Sequence, residues 1–84
     1  MPVVSVIIPT YNPNKKYLHK TLNSVFSQTF QDFEVIVVDD GSSVDTQEML
    51  NPYENRIRFF YQENGGANTA RLFGLRKARG EYIA

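Results

Sequence analysis

Asp39 and Asp40 stand side by side behind an unbroken apolar run, Val35-Ile36-Val37-Val38, and ahead of Gly41-Ser42-Ser43. Two adjacent carboxylates repel each other unless water, a donor group or a cation attends them. Held at a strand tip, such an acid can accept from a base N–H or a ribose hydroxyl, and hydrogen bonds to a charged group are worth about 1.5–3 kcal/mol. Asp-Gly-Ser also suits an ordinary tight turn. Two further groups carry similar potential. Pro9-Thr10-Tyr11-Asn12 offers an aromatic face on which a base can stack, worth about 1–3 kcal/mol per base in nucleic-acid complexes. Asn64-Gly65-Gly66 leads into a helical stretch carrying Arg71, and glycine N–H groups at a helix start suit a phosphate. Each has a plainer reading: a half-buried loop tyrosine, a simple turn, a solvated arginine. His19, on an otherwise polar helix side, reads as a surface residue without a role.

These residues need elements to position them. Residues 3–8 and 33–38 read as strands, the second apolar enough to be buried on both faces of a parallel sheet. Pro9 and the turn-prone Asn12-Pro13 close the first. Between them, Leu18, Leu22, Val25 and Phe26 recur at helical spacing and predict a helix over about 15–28. Asp45 with Glu48 predicts a capping box for a short helix ending near Asn51-Pro52. Residues 57–61 supply a third strand. A helix over about 66–78 carries Ala67, Ala70, Gly74 and Ala78 along one side, and 81–84 begins a fourth strand. Alternation of this kind predicts an α/β fold with a Rossmann-like, mostly parallel sheet. The three candidate groups then gather at the carboxyl edge, where open α/β sheets bind ligands.

Eighty-four residues make at most one small domain, and at that size a chain buries only about 60% of its unfolded surface. Stopping inside a fourth strand, it reads as the first part of a longer domain. Nine basic and nine acidic residues cancel without forming blocks, which argues against a nucleic-acid patch or a polybasic membrane anchor. Cysteine is absent, so there is no disulfide, thiolate site or thiol nucleophile, and a cytoplasmic location is expected.

Val4-Ser-Val-Ile-Ile-Pro-Thr-Tyr-Asn12, Leu22-Asn-Ser-Val-Phe-Ser-Gln-Thr29, Asp32-Phe-Glu-Val-Ile-Val-Val-Asp-Asp-Gly-Ser42, Asn64-Gly65, Ala70-Arg71 and Gly80-Glu-Tyr-Ile83 resemble the amino-terminal half of family 2 glycosyltransferases with the GT-A fold. The resemblance covers nearly the whole chain. It implies transfer of a sugar from a nucleotide donor, a UDP-sugar, to an acceptor hydroxyl with inversion. It also implies a saccharide or lipid-linked acceptor, and with it the cytoplasmic face of a membrane as an alternative location. By the same resemblance Thr10 and Tyr11 contact the base, with Tyr11 stacking on it. Asp40 accepts from the uracil ring, Asp39 lies close behind on base or ribose, and Gly66 and Arg71 lie near ribose and diphosphate. Two positions depart from the family pattern: Val44 replaces the usual acid, which is displaced to Asp45, and Leu72 stands where asparagine often follows Ala-Arg.

In the family, Gly-Glu-Tyr-Ile leads to an Asp-x-Asp motif that holds Mg2+ or Mn2+ on the diphosphate, and a later acid serves as general base. Neither is present up to Ala84. No catalytic residue or metal ligand is therefore assigned, and these residues alone are expected to be inactive. The alternatives are a non-catalytic nucleotide-binding module or one that self-associates through open edges, which leaves a homo-oligomer open. A phosphoacceptor receiver fits poorly, because its acid pair follows the first strand. A nicotinamide-binding domain fits poorly because no Gly-x-Gly-x-x-Gly follows strand one.

Overall fold

The computed structural model describes residues 2–84. Its elements run β1 (Val4–Thr10), α1 (Lys15–Phe26), β2 (Phe33–Asp40), α2 (Thr46–Met49), a 3-10 turn (Asn51–Tyr53), β3 (Arg58–Gln62), α3 (Ala67–Lys77) and β4 (Tyr82–Ile83). The sheet order is β3-β2-β1-β4, and every neighbouring pair is parallel. The expected mostly parallel sheet is thus parallel throughout the described residues.

β2 is the central element. Val35, Ile36, Val37 and Val38 are at most 1% exposed, and full burial of such side chains contributes about 1.5–3 kcal/mol each. Alternation along the strand divides them between two layers. Val35 and Val37 pack with Leu18 and Leu22 of α1, Leu50 and Tyr53. Ile36 and Val38 pack with Ala70 of α3, with Phe60 and Phe73 at the margin. α3 can lie this close because position 74 is glycine: a Cβ there would stand 2.6 Å from Ile7 Cγ2.

Several boundaries differ from the sequence expectation. β1 does not close at Pro9 but runs through it to Thr10: Ile7 donates to the Ala84 carbonyl on the β4 side, alternation turns the missing N–H of Pro9 to that same side, and the pairing with β2 continues. β2 extends through the acid pair, since Asp39 is in register with Thr10 and Asp40 with Gln62. The neighbouring backbones keep the ladder going past the apolar run. α1 ends at Phe26 rather than near 28, because Ser27 caps it and donates its hydroxyl to Ser24 O at 3.0 Å. The fourth strand expected over 81–84 does begin there, with Tyr82–Ile83 paired to Val4 and Ser5 of β1.

His19 is not a free surface residue. Its Nε2 lies 2.6 Å from Met49 O, so that nitrogen carries the proton, and its ring meets Tyr53 edge-on at 5.1 Å. Together with Tyr53 Oη, which donates to Asn23 Oδ1 at 2.7 Å, it ties α1 to the turn after α2. At the amino end of the sheet Glu34 gathers a second cluster. It accepts from Ser5 Oγ at 2.6 Å, Arg58 Nη1 at 2.9 Å and the Arg79 N–H at 2.6 Å.

Candidate functional site

The carboxyl edge of the sheet carries three loops, and the segment after β2 fastens the other two. Asp39 and Asp40 follow the alternation of their strand, so they face opposite layers. Asp40 continues the Ile36 and Val38 row toward α3, while Asp39 continues the Val35 and Val37 row toward α1. The two carboxylates therefore do not converge on one point. Each has its own donors, which relieves the repulsion that adjacent acids would otherwise suffer.

Asp40, 5% exposed, reaches the loop after β3. Its Oδ1 accepts from Gln62 Nε2 at 2.8 Å and the Gly65 N–H at 2.7 Å, and its Oδ2 accepts the Gly66 N–H at 2.9 Å. The Gln62 amide and the Gly65 and Gly66 N–H groups favour the ionised carboxylate and hold its pKa below the usual value, against the smaller opposing effect of burial. This corrects the reading of the glycines as phosphate donors: their N–H groups are already committed to Asp40. Gly66 serves otherwise. It caps α3 at φ 93°, and no atom lies within 4 Å of where its Cβ would be. That flank of the helix start is therefore open.

Asp39, 2% exposed, is turned away from that flank. Its Oδ1 accepts both the N–H and the hydroxyl of Ser42. Gly41, at φ 77°, leaves no room for a side chain, since a Cβ would lie 2.8 Å from the Asn64 nitrogen. That close approach holds the second and third loops together.

Thr10, Tyr11, Asp40 and Arg71 line one cleft with Pro9 and Ala67, about 200 Å³ in volume. Tyr11 is 56% exposed, so a ring face is free for stacking. Arg71, also exposed, has no ion-pair partner among the described residues, where the one salt bridge joins Arg58 and Glu34. Asp40 Oδ2 retains an acceptor position after its bond to Gly66. The cleft thus combines a flat aromatic face, an ionised acceptor and an unpaired guanidinium. Of the six residues singled out from sequence, four line it, Gly66 borders it through Asp40, and Asp39 lies on the opposite layer.

A larger hollow of about 520 Å³ lies between α3 and β4, lined by Ile7, Asn68, Arg71, Leu72, Leu75, Ile83 and Ala84. It is mostly apolar and shares only Arg71 with the cleft. It lacks the convergent polar groups that mark a ligand site, so the smaller cleft is the better candidate. Among the described residues no three His, Asp or Glu side chains are grouped to hold a metal ion. The opposed directions of Asp39 and Asp40 show why the acid pair does not form such a site.

Sequence reasoning missed the role of Gln62 and that of a latch between the first two loops, in which the Asn12 N–H donates to Ser42 Oγ and Asn12 Oδ1 accepts the Ser43 N–H. Gln62 becomes visible only through register, as the residue paired with Asp40 across β2 and β3. Asn12 carried a weak signal, because asparagine tolerates the positive φ of 43° that it adopts here.

The sequence and the fold are similar to those of known proteins. An uncharacterized glycosyltransferase of Rickettsia typhi is 40% identical over 83 residues, covering 99% of this chain and 26% of its own length. Staphylococcus aureus TarS 1–349, solved in complex with UDP-GlcNAc, superposes with a TM-score of 0.82 at 38% identity, over 96% of this chain and 25% of that protein. The mannosyltransferase PcManGT of Pyrobaculum calidifontis, solved with GDP-Man and Mn2+, gives 0.83 at 28% identity, over 98% and 26%. The chain therefore spans about a quarter of the length of these relatives, and its parallel α/β sheet is that of GT-A glycosyltransferases, as expected. The glycosyl transferase family 2 profile matches residues 5–84, nearly the whole length, and the chain belongs to that family.

Proposed function

We propose that this chain is the nucleotide-binding part of an enzyme that transfers a sugar from a UDP-sugar to an acceptor hydroxyl with inversion. The observation that carries the reading is the convergence of Thr10, Tyr11, Asp40 and Arg71 on one cleft at the carboxyl edge. In this reading the base stacks on Tyr11 beside Thr10, and its ring N–H donates to Asp40 Oδ2. Because Asp40 is ionised it can only accept, which suits the N–H of uracil and disfavours bases with an acceptor at that position. Gly66 leaves space for the ribose, and Arg71 meets the diphosphate as a charge-assisted donor. TarS binding UDP-GlcNAc at 38% identity supports a uridine donor.

In the transfer, the acceptor oxygen attacks the anomeric carbon while the bond to the nucleotide breaks and the nucleoside diphosphate leaves. A divalent Mg2+ or Mn2+ ion would neutralise that leaving group. None of the described residues forms its site, and no step here is routed through it. We assign no general base within this chain, and residues 1–84 alone are inactive in this reading. The acceptor is a saccharide or a lipid-linked saccharide, and catalysis takes place in the cytoplasm or at its membrane face. Among the described residues no helix is long and apolar enough to cross a membrane.

Calorimetric and NMR titration of the chain with UDP tests this directly. Saturable shifts at Tyr11, Gly66 and Arg71, weakened at least about tenfold by Asp40→Asn, are the expected result, since about 1.4 kcal/mol of lost interaction is a tenfold change. A folded sample without shifts in this cleft would overturn the reading.

A further inference from the structure

We infer that Asp39 is a positioning residue which, acting through Ser42, fixes the backbone on either side of Tyr11 so that its ring is presented to the base. The inference rests on the nucleotide reading above and assigns Asp39 a different task from contact with base or ribose. Its carboxylate is 2% exposed and faces the α1 layer, so it does not line the cleft.

The connection is a directional relay. The Ser42 hydroxyl donates to Asp39 Oδ1, which leaves the Ser42 oxygen free to accept. It accepts the Asn12 N–H at 2.7 Å. Asn12 returns the contact, its Oδ1 accepting the Ser43 N–H at 2.8 Å and the Ser43 hydroxyl at 3.1 Å. Without Asp39 to accept its hydrogen bond, the Ser42 hydroxyl would be free to rotate toward other acceptors. The Asn12 backbone adopts φ 43°, a left-handed conformation that asparagine tolerates and that its bonds to Ser42 and Ser43 hold in place. On the other side Thr10 is fixed by its register with Asp39 in the β1–β2 ladder.

Tyr11 thus lies between two anchored residues, both referred to Asp39, while its ring remains 56% exposed. A side chain more than half exposed gains little orientation from its neighbours, so its direction comes mainly from the backbone. Preorganising a binding group in this way raises affinity by removing an ordering cost from the binding step. The latch therefore matters for the base and not for the diphosphate, which meets Arg71 on a different element.

The test has a ligand-free arm and a binding arm, using wild type, Ser42→Ala, Ser42→Thr, Asn12→Gly and Tyr11→Ala. In the free chain, 15N relaxation at residues 10–12 should show greater backbone motion in Ser42→Ala and Asn12→Gly. It should return to the wild-type level in Ser42→Thr, which keeps the oxygen. In titrations, Ser42→Ala should weaken UDP about tenfold and leave inorganic pyrophosphate shifts at Arg71 unchanged. On a Tyr11→Ala background it should cost little more, because Ser42 acts through that ring. Unchanged relaxation in Ser42→Ala overturns the inference, whatever UDP does. So do equal losses for UDP and pyrophosphate, or full additivity with Tyr11→Ala. If relaxation changes as expected but wild type takes no UDP, the latch is supported and the nucleotide reading falls.

Discussion

Glu34 and Asp40 lie six residues apart on the same face of β2 and receive the two ends of α3. At about 3.3 Å per residue their Cα atoms stand about 20 Å apart along the strand. An 11-residue helix is about 16 Å long, so one span frames the other. Asp40 accepts N–H groups at the positive end of the helix dipole. Glu34 accepts from the Arg79 N–H just past the other end, and Arg58 Nη1 also donates to the Lys77 carbonyl at 2.7 Å. Between the two acids, Ile36 and Val38 pack against Ala70.

Acid should therefore loosen this helix. Burial raises the Glu34 pKa, but the Ser5 hydroxyl, the Arg79 N–H and Arg58 together outweigh it and leave the net value lowered. Asp40 is lowered too, by Gln62 first. A carboxylate depressed in the folded state contributes stability that is complete above its unfolded value and lost as pH falls through the folded one. With ordinary values of 4.5 for Glu34 and 3.8 for Asp40, stability should hold above about pH 5 and decline below 4.5. Urea melts across pH 3–7 check this, and Glu34→Gln should flatten the decline.

Gly74→Ala should destabilise the chain even though alanine is the better helix former. The propensity gain is about 1 kcal/mol, whereas a Cβ placed 2.6 Å from Ile7 Cγ2 forces overpacking that typically costs about 1–3 kcal/mol. A fall in denaturation midpoint is the expected outcome, and a rise would show that α3 lifts from β1 without strain.

Gly66→Ala separates conformation from space. No atom obstructs the added methyl, but φ 93° and ψ 164° lie where only glycine is at ease, a strain of about 1–3 kcal/mol. Equilibrium unfolding should show a loss in that range, and UDP titrations a weaker affinity, because the strained backbone disturbs the Gly66 N–H bond that holds Asp40.

Arg71→Ala should leave folding within about 0.5 kcal/mol, as expected for an exposed residue without partners. UDP affinity should fall, and its salt dependence should shrink with it. Titrations at low and high ionic strength would show whether the guanidinium meets the diphosphate.

The order of elements and the parallel sheet were legible because β2 carries an uninterrupted apolar run that few other folds accommodate. Convergence of Thr10, Tyr11, Asp40 and Arg71 followed from topology, which places strand tips at one edge. Which way each acid points was not legible, because the strand was expected to stop at Val38 and extends instead through Asp40. Two more residues of ladder put the pair on opposite faces. The Glu34 cluster was hidden for a different reason: Ser5 and Gly80 are 75 residues apart and meet only once β4 pairs with β1. His19 was misread because its partner, a backbone carbonyl, has no sequence signature.

The sheet is unevenly held, and the gradient has a direction. β2 is sealed on both sides, whereas β4 is two exposed residues paired to the Val4 and Ser5 end of β1. Amide protons at 35–38 should exchange only on global unfolding, while those of Tyr82 and Ala84 exchange through local opening. That fraying lies at the sheet end remote from Tyr11 and Asp40. Opening there leaves the ladder under the cleft, Thr10 with Asp39 and Asp40 with Gln62, intact.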